Sequence, residues 1–293
     1  MKKNYEILPF NFGANFGATF ESARVVVLPI AFESTVSYGV GTSQGPQAII
    51  NASRFMDELW DIEENGTAFN IKTSDFFTAE EIRPHKSSIK LSLGGISQAV
   101  YDFAVKYDKF PMVLGGEHSI TYGCIEALQK KYKNISILHF DAHTDVLSEY
   151  EGTPFSHACV IRRLEEKKIP VVSFGVRNMN PQINKYLQKK SKKSVYFAPQ
   201  LPNINEVLKK LTKNVYLTFD LDFFDPSIMP SVGTPEPGGH YWHETIKFID
   251  ELISKVNLIG ADVVELKPMP GIEAPDFLAA KLVYKIISDY LKK

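Results

Sequence analysis

Cysteine is nearly missing from this chain. Cys124 and Cys159 are the only two in 293 residues, too few for a disulfide framework and without the spacing of a zinc site. A reducing compartment is therefore expected. Net charge is missing as well. The 33 lysines and arginines almost cancel the 34 aspartates and glutamates, which leaves no electrostatic footprint for nucleic acid or an anionic membrane. The pairs Lys189-Lys190, Lys192-Lys193 and Lys209-Lys210 read as solvated helix ends and loops. Long apolar runs are absent too. No segment reaches the roughly 18 uninterrupted apolar residues of a membrane span, and Met1 to Glu6 leads into nothing long enough for a signal peptide. A cytoplasmic protein is expected. Linkers, repeats and shifts of composition are also lacking, so residues 1–293 are read as a single domain. Its 44% hydrophobic content is ordinary for a globular chain with a sizeable core.

What the sequence does contain is a series of short apolar runs: Val25 to Ile30, Phe110 to Leu114, Ile135 to Phe140, Val171 to Val176, Val195 to Phe197, Val215 to Phe219 and Leu258 to Leu266. They are rich in Val, Ile, Leu and Phe and poor in alternation, which predicts strands covered on both faces. Helical spacing appears between them, over Gly95 to Tyr107, Ser119 to Lys131 and Glu244 to Val256. A last helix is predicted over Asp276 to Leu291, begun by the aspartate. Alternating strands and helices predict an α/β fold with a mostly parallel sheet. Ligands in such folds bind beyond the carboxyl ends of the strands, and a TIM barrel, whose site lies at the same end, stays open at this point.

Charge collects at those ends in three islands: Gly115-Gly116-Glu117-His118, Asp141-Ala142-His143-Thr144-Asp145 and Asp220-Leu221-Asp222. Charged groups beside a buried sheet are costly unless paired. Any one island reads equally as a solvated loop, a turn or a helix cap; three together imply positive charge among them. If the chain stays extended after Phe140, Asp141, His143 and Asp145 point to one side while Ala142 and Thr144 face away. Asp220 and Asp222 repeat the spacing, and Asp225-Pro226 turns the chain. Four carboxylates and two imidazoles without a thiolate suit hard or borderline divalent ions. A pair of such ions can lower the pKa of a shared water enough to supply hydroxide, which implies hydrolysis at carbon or phosphorus.

These islands resemble those of the arginase/agmatinase (ureohydrolase) family. Leu114 to Ser119 resembles its first signature, His139 to Asp145 its second, and Thr218 to Asp222 with Asp225-Pro226, Pro230-Ser231 and Gly238-Gly239 its third. Ser37 to Thr42 and Gly45 to Ile49 are similar to its glycine-rich N-terminal loop, and Ala261 to Pro268 to its last signature. Glu117 replaces a common aspartate and Thr218 a usual serine. The resemblance implies a three-layer α/β/α fold with a mostly parallel eight-stranded sheet, and two Mn(II) ions per chain. It places one ion among His118, Asp141, Asp145 and Asp220, and the other among Asp141, His143, Asp220 and Asp222, so that Asp141 and Asp220 bridge. The bridging hydroxide would attack the guanidinium carbon and release urea and an amine.

By the same likeness Glu265 binds the guanidinium, for which a fixed carboxylate is suited; its bland alternative is a strand-end pair with Lys267. His157 passes a proton to the departing amine, work for which imidazole is apt, and Asp145 takes the hydroxide proton besides acting as ligand. His139 reads as a histidine that supports the ligands or fills the core. The family commonly forms trimers or hexamers, so a homo-oligomer is expected. The loop Val146 to Thr153 lacks the polar cluster of arginases and any basic residue, while Glu149 and Glu151 make it acidic. If they are more than solvated, they favour a substrate with a second positive charge: agmatine, or the longer aminopropylagmatine. Guanidinobutyrate or formimidoylglutamate would instead need Arg162, Arg163 or Arg177 at the site. A metal-binding relative without catalysis is the reading outside enzymology.

Overall fold

Eight parallel strands carry the site at the carboxyl ends of the central four. The structure, a computed structural model, describes residues 9–15, 17–56, 60–62, 68–85, 88–189 and 194–293. Met1 to Glu6, Lys190, Lys192 and Lys193 lie outside the described residues. In chain order the strands are β1 (Val25–Ile30), β2 (Trp60–Ile62), β3 (Ala68–Asn70), β4 (Phe76–Thr78), β5 (Phe110–Gly115), β6 (Ile135–Phe140), β7 (Val171–Val176), β8 (Val195–Phe197), β9 (Asn214–Asp220) and β10 (Asn257–Val264). The α-helices are α1 (Gly45–Ser53), α2 (Ile89–Phe103), α3 (Ile120–Gln129), α4 (Val160–Glu166), α5 (Pro181–Lys189), α6 (Ile204–Leu208), α7 (Trp242–Lys255) and α8 (Ala274–Leu291). The main sheet has the order β4-β1-β5-β10-β9-β6-β7-β8, parallel at every pairing. It is open, with edges at β4 and β8, so the barrel alternative is set aside. β2 and β3 form a separate antiparallel pair.

Each apolar strand feeds two cores, which is why the runs fail to alternate. Val25 and Val27 of β1 pack in one core with residues of α1, α6, α7 and α8, whereas Val26, Leu28 and Ile30 join α2, α3 and α4 in the other. The result is three layers, helices on both faces of the sheet. No helix among the described residues is long and apolar enough to cross a membrane.

Several boundaries differ from the sequence reading for physical reasons. β4 went unpredicted, since three residues at a half-buried edge give too short an apolar run. α2 starts at Ile89 because the Ser88 hydroxyl accepts the Leu91 N–H, a standard cap. It ends at Phe103, before a separate 3-10 turn over Val105–Tyr107. α8 starts at Ala274, with Pro275 in its first turn, so Asp276 lies inside the helix and does not begin it. β10 stops at Val264 because Glu265 takes φ 67° and gives its N–H to Gly116 O at 2.8 Å.

Candidate active site

The four central strands β5, β10, β9 and β6 deliver the charged residues. His118 follows β5, Glu265 follows β10, Asp220 closes β9 and Asp141 follows β6. All four are at most 8% exposed. Gly116 brings the β5 loop close to the chain leaving β1, for a Cβ there would lie 1.9 Å from Phe32 O.

His118 occupies the centre. Its Nδ1 lies 3.2 Å from Asp141 Oδ2, 3.2 Å from Asp145 Oδ2 and 3.3 Å from Asp220 Oδ2. That nitrogen is buried and has no hydrogen-bond partner. Its other nitrogen is fixed: Nε2 donates to Thr218 Oγ1 at 2.9 Å, and Thr218 in turn donates to buried Asp262. The register places Thr218 beside Asp262 on β10 and beside His139 on β6. This polar row beneath the site leaves Nδ1 of His118 facing three carboxylates. A second group joins Asp141, His143 and Asp222. His143 Nδ1 lies 2.8 Å from Asp222 Oδ2 and 3.4 Å from Asp141 Oδ1. The two oxygens of Asp141 thus face different groups, the geometry of a bridge. Asp220 offers Oδ2 to the first group, while its Oδ1 accepts the Asp222 N–H.

A buried set of acids and imidazoles with an orphaned ring nitrogen fits divalent cations. The proton affinities express the same imbalance. Burial opposes a charged His118, yet Asp141, Asp145 and Asp220 outweigh it and hold its pKa well above the ordinary value. For His143, burial is likewise outweighed, chiefly by Asp222, and the pKa is pushed up to about 12. Burial and the charges of Asp222 and Asp141 raise Asp220. Burial and Asp141 raise Asp222. Asp141 goes the other way, because the imidazoles of His118 and His139 beside it overcome its burial.

The second island is not the extended ladder expected from its spacing. Asp145 has φ 50°, which turns it to His118 while His143 turns to Asp222. Thr144, expected to face away, lines the cleft instead. The third island also bends, as Leu221–Phe223 form a 3-10 turn. Asp222 is steadied by Ala142 N–H at 2.9 Å. Arg177 clamps that turn by donating to the carbonyls of Gly175, Asp222, Phe223, Phe224 and Glu236.

The other sequence-predicted residues fall as follows. Glu265 accepts His118 N–H at 2.6 Å through Oε1 and lines the cleft; burial and the charge of Glu117 raise its pKa well above the usual range. His157 lines the wall. His139 bonds Asp141 at 2.8 Å and Ser173 at 2.9 Å, so it orients Asp141 from behind. Glu149 and Glu151 are exposed and do not line the cleft; Tyr150 between them does. Arg162 and Arg163 pair with Glu166 on α4, and among the described residues no lysine or arginine lines the cleft.

Residues the sequence reading passed over form the mouth: Tyr38, Tyr150, Asn178, Asn180 and Ile183. Tyr38 had a signal in its place in the glycine-rich loop and Tyr150 in its place in the acidic loop Val146 to Thr153, whereas Asn178, Asn180 and Ile183 had none. Asp262 had a clear one, an acid within the apolar run of β10.

Residues 23–288 match the sequence model of the Arginase family. The chain is 34% identical over 278 residues to the N(1)-aminopropylagmatine ureohydrolase of Synechocystis sp., covering 92% of this chain and 90% of that protein. It is 33% identical over 278 residues to the agmatinase of Bacillus subtilis, covering 93% and 94%. Among solved structures, the agmatine ureohydrolase of Thermoplasma volcanium is similar with a TM-score of 0.79 at 28% identity, covering 98% of this chain and 96% of that one. The formimidoylglutamase of Bacillus subtilis shares the fold, with a TM-score of 0.81 at 20% identity over 99% of this chain and 95% of that one.

Proposed function

Because the chain belongs to the arginase family, we propose that it hydrolyses the guanidinium group of agmatine to urea and putrescine, as a single ureohydrolase domain. The observation that carries this reading is the buried, unpartnered Nδ1 of His118 among three carboxylates, at the floor of a cleft that holds Glu265 and, among the described residues that line it, no lysine or arginine. In this proposal His118, Asp141, His143, Asp145, Asp220 and Asp222 hold two Mn(II) ions, with Asp141 and Asp220 shared. Such a pair, when bound, acidifies water enough to supply hydroxide near neutral pH.

The chain's own groups do the rest. Glu265 is held at Oε1 by the His118 amide, so Oε2 is left to accept from the planar guanidinium. The arriving cation supplies the charge that favours the ionised form of this buried acid. Water adds to the guanidinium carbon and Asp145 takes the proton released. His157 then gives a proton to the tail nitrogen, which leaves as a neutral amine as its bond to carbon breaks, and the hydroxyl proton left on the carbon is released to solvent as the C=O of urea forms.

A longer substrate is the second reading. Aminopropylagmatine carries a further positive charge, and Glu149 and Glu151 flank Tyr150 at the mouth, where they add negative potential. Carboxylate tails fit less well, since Arg177 is taken up by five carbonyls and Arg162 and Arg163 by Glu166. The test is urea release with added Mn(II) across agmatine, aminopropylagmatine, guanidinobutyrate and arginine, with formamide release from formimidoylglutamate scored beside it. Urea from agmatine or aminopropylagmatine is expected. Bound metal with no turnover on any of them would point to a metal-binding relative without catalysis. We further propose a cytoplasmic homo-oligomer, a trimer or hexamer, which light scattering would size.

A further inference from the structure

We propose that Thr35, held in place by Glu117, is a positioning residue that fixes the ring tautomer of His157, so that this imidazole gains and loses protons only at Nε2. The inference rests on the reading of His157 as the group that delivers a proton to the departing amine.

Glu117 precedes His118 but turns away from it. Its side chain is fully buried, and four donors saturate it. Oε2 accepts the N–H groups of Ser34 and Thr35, and Oε1 accepts the hydroxyls of Ser119 and Thr35, the latter at 2.9 Å. Its own N–H donates to Phe32 O at 2.9 Å. The segment leaving β1 is therefore bolted to the loop leaving β5, with Gly116 admitting the close approach. A carboxylate with four donors on it acts as an acceptor only, so the Thr35 proton points at Glu117.

That assignment decides the histidine. A threonine hydroxyl has one proton and two lone pairs. With the proton on Glu117, the lone pairs of Thr35 Oγ1 face the two groups left around it. One is the His157 backbone N–H at 3.0 Å and the other is His157 Nδ1 at 3.0 Å. An unprotonated Nδ1 would set lone pair against lone pair at that distance, so Nδ1 carries hydrogen. Ser156 Oγ stands farther from Nδ1, at 3.3 Å, and accepts Ala158 N–H at 3.4 Å. Tyr150 packs edge-on against the ring, with centroids 5.6 Å apart, and so restricts its rotation. With both the backbone and the ring of His157 tied to one oxygen, the neutral ring has its lone pair at Nε2 and the charged ring has its transferable proton there.

The device links residues far apart in sequence, Thr35, Glu117 and His157, and gives Glu117 a task distinct from holding metal. Thr35→Val removes the hydroxyl at nearly constant volume, and Thr35→Ser restores it. Agmatine turnover should fall about tenfold in Thr35→Val, a part of the usual acid–base contribution, with KM little changed and the pH profile altered. Thr35→Ser should recover most of the loss. In a His157→Asn background, Thr35→Val should cost nothing more. Independently of any variant, 15N-histidine spectra of full-length protein loaded with a diamagnetic divalent ion should show His157 protonated at Nδ1 when neutral. A wild-type spectrum with the proton at Nε2, or a defect in His157→Asn beside unchanged turnover in Thr35→Val, would overturn the proposal. Wild-type turnover in His157→Asn would instead overturn the proton-donor reading on which it rests.

Discussion

At the floor of the cleft His118, Asp141, Asp220 and Asp222 are buried, whereas at its mouth Tyr38 is 82% exposed and Asn180 stands open to solvent. The floor is built from the ends of four adjacent strands and from a row of side chains, His139, Thr218 and Asp262, locked by sheet register. The mouth comes from loops after β1, β6 and β7 and from the first turn of α5. Groups that must be placed to a fraction of an ångström belong on rigid elements, while groups that sort one substrate tail from another can sit on loops. Two strained backbones, Asp145 at φ 50° and Glu265 at φ 67°, mark where the floor departs from regular structure to aim a side chain.

If floor and mouth divide reaction from selection, changes to each should fail differently. The largest effect is expected for Asp141→Asn, which removes the charge facing both groups. Metal content should drop, and turnover should fall by about a thousandfold or more, matching loss of several kcal/mol of charge stabilisation. Acid should reproduce that loss reversibly. Asp220, Asp222 and Glu265 have raised pKa values, so they take up protons as the pH falls before free carboxyls would. The raised pKa values of His118 and His143 mean that protons must also leave those rings before a cation enters. Manganese affinity, followed by calorimetry, should therefore rise with pH and begin to fail above the ordinary carboxylate range. Glu265→Gln should keep its metal and lose about ten- to a hundredfold in kcat/KM, the worth of a charged hydrogen bond. Loss of manganese in that variant would break the division of roles.

Smaller effects test the supports. Asp262→Asn touches no substrate, yet it unsettles Thr218 and with it the tautomer of His118, so manganese affinity should weaken by about tenfold. At the mouth, Glu149→Gln with Glu151→Gln should alter kcat/KM by about twofold, more at low ionic strength, as exposed charges do. An effect as large as that of Glu265→Gln would mean that these glutamates close over the substrate.

Much of the floor was legible before the fold was seen, because acids after buried strands have few inexpensive explanations. The apolar runs of β1, β5, β6, β7 and β9 coincide with strands to within a residue or so, since burial on both faces leaves a continuous signal. Local geometry was less legible. Spacing by two suggested an extended second island, but one positive φ at Asp145 sends His143 and Asp145 to different groups and turns Thr144 into the cleft. Asp262 could have been noticed as a charge inside an apolar strand. The tie from Glu117 through Thr35 to His157 could not, because it depends on how the loop after β5, the segment after β1 and the turn before α4 meet. Glu149 and Glu151 stood out by charge, while Tyr150 between them, which lines the cleft, carried no such mark.

That two cations are held by His118, Asp141, His143, Asp145, Asp220 and Asp222 is the proposal on which the division of floor and mouth depends, with Asp141 common to both groups of candidate ligands. Titration of metal-stripped protein with Mn(II), counting bound ions per chain in wild type and Asp141→Asn, tests it most directly. Saturation at two ions with proton release is expected in the wild type, and loss at both sites in the variant. Saturation at one ion or none, or an Asp141→Asn protein that still binds two with unchanged affinity, would contradict it.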